Sequence, residues 1–184
     1  RTNKPDSNNL CTWAMRSLLI EQDNRLILID TGIGNKQNEK FFSHFHLHGD
    51  DSLKKSINNA GFSIDDITDV FLTHLHFDHC GGAVQWANKE RTHLEPYFKN
   101  AIYWSNKNHW DWATEPNPRE KASFLKENIL PLKESGQLQW INKENTLTKS
   151  VFDNIDVFFA DGHTESQMIP IINYKNEKIV FMAD

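Results

Sequence analysis

Cysteine is scarce in this chain: 184 residues hold only Cys11 and Cys80. Two such residues cannot build a disulfide framework, and neither belongs to a CxxC pair. Long apolar runs are missing as well; none approaches the roughly 20 residues that a helix needs to cross a bilayer. The opening RTNKPDSNNL is polar and carries no signal-peptide pattern. A basic excess is also missing. The net charge is -5 with lysine and arginine dispersed, which counts against a nucleic-acid partner. These absences make a cytoplasmic protein the expectation, with a removed export signal as the alternative. The chain starts at Arg1 without an initiator methionine and stops at Asp184 directly after an apolar segment. It therefore reads as a piece of a longer protein, with its C-terminal part missing. A homodimer stays open.

What is present is enough for one core. The 38% apolar content suits a single α/β domain over residues 1–184. Leu18–Ile20 and Leu26–Ile29 flank the turn-forming Gln22-Asp23-Asn24 and predict a hairpin. The second segment is apolar throughout, as a strand covered on both faces would be. In DSLKKSINNAG, residues 51–61, Leu53, Ile57 and Ala60 share a face and Gly61 supplies a stop, predicting a helix. Val70–Thr73 predicts a buried strand and NAIYWS another. For residues 117–130 the reading is a helix with Asn117 as N-cap, Pro118 at its first position, Glu120 three after the cap, and a face of Ala122, Leu125 and Ile129. GQLQWI, VFDNIDVFFA, QMIPIINY and KIVFMA follow as strand-like segments of a second, more antiparallel sheet. Helix alternating with strand is the mark of a layered fold.

The nine histidines gather at 44–48 and 74–79, with single ones at 93, 109 and 163. THLHFDHCGG, residues 73–82, is the densest stretch and follows the apolar DVFL. His74 and His76, two apart, leave the same side of an extended segment. Asp78 and His79 come next as strand gives way to loop, and Gly81-Gly82 allow a sharp turn. One metal could sit on His74 and His76 and a neighbouring one on Asp78 and His79. Imidazole and carboxylate donors suit zinc first, and also iron, manganese or cobalt. Sites in open α/β sheets collect at strand ends, so His163, after FFADG, and Asp184, after KIVFMA, are the candidates to complete the set.

THLHFDH, the upstream LIDTGIGN, DGHTESQ and FMAD together resemble the metallo-β-lactamase superfamily of metal-dependent hydrolases. The resemblance implies an αββα sandwich, incomplete at both ends here, with metals at one edge. It implies that His74, His76 and His163 hold a first divalent ion and Asp78 and His79 a second. Asp184 would bridge both, and Asp30 would brace the metal loop without ligating. The family's last ligand, a histidine beyond the bridging aspartate, has no counterpart before the sequence ends. An aspartate at 184 resembles the dinuclear branch, and IDTGIGN with LTHLHFDHCGG most resembles the N-acyl homoserine lactonase-like, quorum-quenching group. The resemblance thus implies a dinuclear hydrolase opening a lactone or related ester. A paired metal site acidifies a shared water toward neutrality, so no serine or cysteine nucleophile is needed. Asp78 would orient that water and carry its proton to the leaving oxygen.

Other readings remain beside this one. A glyoxalase II-like thioesterase or a phosphodiesterase could use the same fold, and a non-catalytic metal-binding scaffold is the rival of another class. Cys80 reads as a small buried side chain rather than a nucleophile. His44, His46 and His48 alternate like a strand face and could form an accessory metal site; a partly apolar loop over the site is the preferred reading. Trp104, Trp110 and Trp112 either line the pocket or pack the core.

Overall fold

The computed structural model describes residues 3–184. In chain order its elements are β1 (Leu18–Gln22), β2 (Arg25–Ile29), α1 (Glu39–Ser43), α2 (Leu53–Asn59), β3 (Asp69–Phe71), α3 (Phe77–Cys80), β4 (Val84–Trp86), β5 (Leu94–Pro96), β6 (Ile102–Ser105), α4 (Lys107–Thr114), α5 (Lys126–Glu134), β7 (Leu138–Trp140), β8 (Leu147–Phe152), β9 (Ile155–Ala160), β10 (Gln167–Tyr174) and β11 (Glu177–Val180). A five-stranded sheet runs β1-β2-β3-β6-β7, a four-stranded one β11-β10-β9-β8, and β4-β5 form a short ribbon. In the first sheet β1 is antiparallel and β2, β3, β6 and β7 are parallel. The second sheet is antiparallel throughout.

The period of two in the strands sorts side chains into two cores. Leu26, Leu28, Val70 and Tyr103 face Ile57, Trp110, Ile129 and Leu132 on the helical side. Ile27, Ile29 and Phe71 face Phe152, Ile155, Val157, Phe159 and Met168 across the two sheets. This explains why Leu26–Ile29 has no polar residue: both of its faces are covered. The αββα expectation is met in three layers, one of helices and two of sheet. Among the described residues the outer face of the second sheet stays open, with Phe158 exposed and β11 exposed along its length. No helix among the described residues is long and apolar enough to cross a membrane.

Several expected elements are corrected. Residues 118–123 are turns and the helix is Lys126–Glu134, with Pro131 inside it. Asn117 does cap, accepting from Arg119 N and Glu120 N. The helix does not propagate from it because Ser123 O is taken by Phe77 N and Glu120 is drawn to Trp112 and Thr164. VFDNIDVFFA is not one strand but two, turning at Asp153-Asn154 with Asn154 at a φ of 60°. α4 was not foreseen, although Asn106 caps it by accepting from His109 N and its buried residues His109, Trp110 and Ala113 share a face. His44, His46 and His48 lie not on a strand but in the turn after α1 (His44 and His46) and the irregular chain that follows it (His48). Trp104 packs on Phe152 and Trp110 on Trp140, so both are core residues.

Tyr103 joins the main sheet to the ribbon: its hydroxyl accepts from Phe98 N at 2.8 Å and donates to Ala83 O at 3.2 Å. Because Tyr103 is fully buried, Tyr103→Phe should strand the Phe98 N–H and lower unfolding free energy by about 1–3 kcal/mol. Urea denaturation measures this; an unchanged midpoint would refute the role.

Candidate metal centre

The centre is built where β2 and β3 end side by side. Asp30 follows β2 with a φ of 57°, a left-handed conformation that aspartate tolerates. Its Oδ1 accepts from Thr73 N at 2.8 Å, and its Oδ2 accepts from Thr73 Oγ1 at 2.8 Å and from His79 Nδ1 at 2.8 Å. Thr73 Oγ1 in turn lies 3.1 Å from His74 Nδ1. A hydroxyl that donates to Asp30 is left to accept, so His74 carries its proton on Nδ1. Both His74 and His79 therefore present Nε2 away from the carboxylate. The sequence-level role for Asp30, bracing and not ligating, is the one the hydrogen bonds describe.

Close backbone contact holds this arrangement. Thr31 N donates to His79 O and Gly82 N to Gly32 O. A Cβ on Gly81 would meet Ile33 O at 2.2 Å, and one on Gly82 would meet Thr31 O at 2.2 Å. The glycine pair is thus required by interlocking of the TGIGN loop with the turn after His79. Lys36, itself buried, donates its Nζ to Gly81 O. Cys80 is fully buried and its thiol donates to Leu75 O, with burial pushing its pKa up to about 12. That environment favours a small packed side chain over a nucleophile.

Five of the six candidate ligands converge. Ligating atoms of His74, His76 and His163 lie within 4.8 Å of one another, and so do those of His74, His79 and Asp184. His76 Nδ1 is 3.0 Å from His163 Nε2. Asp184 stands between the two groups, Oδ1 at 3.5 Å from His79 Nε2 and Oδ2 at 3.8 Å from His163 Nε2. Asp78 belongs to neither triad; its Oδ2 is 3.8 Å from His79 Nε2, at the rim. His44, His46 and His48 join no such group.

The electrostatics favour the neutral form of two of these rings, His74 and His76. Burial, reinforced by the neighbouring imidazoles, holds His74 well below its ordinary pKa. Burial and then His163 bring His76 down to about 4. For His79 burial acts downward, but the hydrogen bond and charge of Asp30 outweigh it and raise the pKa. The His76 and His163 rings facing each other at 3.0 Å, beside a buried His74 Nε2 with no hydrogen-bond partner among the described residues, form a concavity lined by ring nitrogens. The donor set fits a divalent cation.

Two residues that the sequence reading did not assign to the site support the centre. His109, fully buried, accepts from Leu75 N at 2.8 Å through Nε2 and donates to Glu165 O at 2.6 Å through Nδ1. Glu120 accepts from Trp112 Nε1 at 2.9 Å and Thr164 Oγ1 at 2.8 Å. The signal for His109 was its place three residues after a capping asparagine. Glu120 gave only its spacing from Asn117, which pointed to a capping box.

A cleft of about 1700 Å³ opens beside Asp78, with Trp13, Met15, Phe45, Leu47 and Phe77 on its walls. Phe77 meets Phe41 and Phe45 at ring distances of 5.3 and 5.0 Å. The segment read as a loop over the site is therefore a cleft wall that begins with the short α1.

Residues 16–184 match the family model of the metallo-beta-lactamase superfamily. The chain belongs to that superfamily. An N-acyl homoserine lactonase of Bacillus thuringiensis is 30% identical over 114 residues, which cover 51% of this chain and 44% of the relative. Among solved structures, a probable metal-dependent hydrolase from Staphylococcus aureus superposes with a TM-score of 0.84 at 26% identity, covering all of this chain and 62% of that one. AidC, a dizinc quorum-quenching lactonase in complex with a product, gives 0.64 at 28% identity over 89% of this chain and 54% of its own. The chain thus spans less than half the length of that curated relative.

Two predictions follow from the loop packing. Gly82→Ala should cost about 1–3 kcal/mol or more in urea unfolding, as forced overpacking does; an unchanged midpoint would mean the two loops do not interlock. Burial lowers the Lys36 amine to about 8, against the opposing charges of Cys80 and Glu127. Between pH 8 and its unfolded value of 10.5 the unfolded chain then binds more protons, so this lysine makes stability rise with pH. The stability difference between wild type and Lys36→Met should shift in favour of wild type between pH 8 and 10; a constant difference would contradict the buried amine.

Proposed function

We propose that this chain is the metal-holding part of a dinuclear hydrolase that opens an N-acyl homoserine lactone-like lactone or a related ester. The observation that carries the reading is the pair of triads sharing His74, the second completed by Asp184, beside a cleft with Trp13, Phe45, Leu47 and Phe77 on its walls. In this reading His74 Nε2, His76 Nδ1 and His163 Nε2 hold one ion, Asp78 and His79 Nε2 hold the other, and Asp184 serves both. Zinc is the first choice of metal, with iron, manganese and cobalt served by the same donors. When bound, such a pair acidifies a shared water and polarises a carbonyl.

The chain's own residues then have distinct tasks. Asp30 and Thr73 hold the Nδ1 protons of His79 and His74, so that neither ring can turn its lone pair away. Asp78, partly exposed at the cleft, orients the attacking water and passes its proton to the leaving ring oxygen. Phe45, Leu47 and Phe77 bury the acyl chain and exclude water from the reacting carbonyl. The lactonase names of the Bacillus relative and of AidC support this substrate class over a thioester or phosphodiester.

Metal content and lactone hydrolysis, measured together on wild type and His76→Ala, test the reading. We expect two ions per chain, and ring opening reduced about 100- to 1000-fold in the variant, the order seen when one group that supports transition-state stabilisation is removed. Two ions with turnover of thioesters or phosphodiesters only would discard the lactone. A folded protein that binds no ion would overturn the hydrolase in favour of a scaffold.

A further inference from the structure

Of the two buried imidazoles in the triad of His74, His76 and His163, His74 has the Thr73 hydroxyl on the side away from the cluster; His76 is the unresolved case. His76 Nδ1 points to His163, while its Nε2 is buried and makes no hydrogen bond. A buried ring nitrogen left in that state costs about 1–3 kcal/mol. Asp30, which serves His79 and Thr73, is already committed. On the far side of the ring, 3.8 Å from Nε2, stands Oε2 of Glu120, and both side chains are largely buried.

Glu120 is not there by chance of surface packing. Its Oε2 accepts from Trp112 Nε1 and Thr164 Oγ1, and its Oε1 lies 3.4 Å from Asn117 Nδ2. These three donors come from α4, from the loop that carries His163, and from the turn that replaces the expected helix start. Phe124 lies against the His76 ring at 4.7 Å and blocks its escape. A shift of about 1 Å brings Nε2 and the carboxylate into hydrogen-bond range.

We propose that Glu120 is a positioning residue: its carboxylate accepts a hydrogen bond from the Nε2–H of His76 and so commits Nδ1 to the metal-facing side. The inference rests on the metal reading above. It gives His76 what Asp30 and Thr73 give His79 and His74, a fixed tautomer and ring orientation together with greater basicity at the donor nitrogen. It also accounts for a departure from sequence expectation. The Asn117 segment forgoes a helix so that Glu120 can reach the ring.

The test uses the full chain with zinc as probe, comparing wild type, Glu120→Gln, Glu120→Ala and, as a destabilised control, Tyr103→Phe. Zinc affinity is read by competition with a chromophoric chelator. The His76 tautomer is read by nitrogen-15 NMR on metal-free protein. We expect zinc affinity to fall about 10-fold in Glu120→Gln and about 100-fold in Glu120→Ala, and to stay within about twofold in Tyr103→Phe. The His76 proton should sit on Nε2 in wild type and redistribute toward Nδ1 in Glu120→Ala. Should Glu120→Ala fail to fold, Glu120→Gln, which keeps an oxygen for Trp112 and Thr164, decides by its affinity. Wild-type affinity in Glu120→Gln, or an equal loss in Tyr103→Phe, overturns the positioning role while leaving the metal site standing. If wild type binds no zinc, the functional reading falls, and a wild-type His76 proton on Nδ1 would remove the Glu120 contact as well.

Discussion

The Asp30 carboxylate is the interaction on which the centre depends. It is buried, and burial pushes its pKa up while His79 and Thr73 work against that shift through the bonds they donate. An unpartnered carboxylate there would be costly. With Thr73 N, Thr73 Oγ1 and His79 Nδ1 all donating, the same group becomes a tie between the ends of β2 and β3. Its reach extends to His74 through the threonine hydroxyl, so one side chain sets the direction of two imidazoles. The left-handed backbone at Asp30 belongs to this arrangement, because local strain is tolerated where surrounding bonds over-determine it.

Around that tie the fold separates rigid from accessible parts. His74 and His76 leave a strand with cover on both faces, and the interlocked glycines leave no slack between the TGIGN loop and the turn after His79. Asp78, His163 and Asp184 are more exposed. The buried imidazoles set the geometry, and of the exposed groups Asp78 faces the cleft. Precision and access are thus assigned to different residues of one cluster.

Legibility in the sequence followed the same division. LILID and DVFLTH could be read because a strand buried on both faces has an unbroken apolar run, and a donor cluster directly after it has few structural uses. Asp30 was readable by resemblance. The first part of the helix placed at 117–130 failed, while residues 126–130 are helical, because capping chemistry at Asn117 is local, whereas the fate of Glu120 and Ser123 is decided by Trp112, Thr164 and Phe77, distant in sequence. VFDNIDVFFA carried its turn in Asp153-Asn154, but the flanking apolar residues masked it. α4 was hidden by its composition, since Trp, His, Asn and Asp are weak helix formers and packing supplies what propensity does not.

That overlooked helix has a structural task which the motif residues cannot perform for themselves. The metal-binding candidates come from separate chain segments, and side chains from separate loops drift apart unless something spans them. Asp30 spans the first two strand ends only. The N-terminus of α4 ties the first motif to the His163 loop: His109 accepts from Leu75 N between the two histidines of the first motif and donates to Glu165 O two residues after His163, while Asn106 Nδ2 donates to Ser166 O. Burial holds His109 down at about 4, so at neutral pH it remains the neutral tautomer that can accept on one nitrogen and donate from the other. A cation there would lose the acceptor and release the first motif from the third. Alignment of the two loops therefore draws on an imidazole that burial keeps neutral at neutral pH.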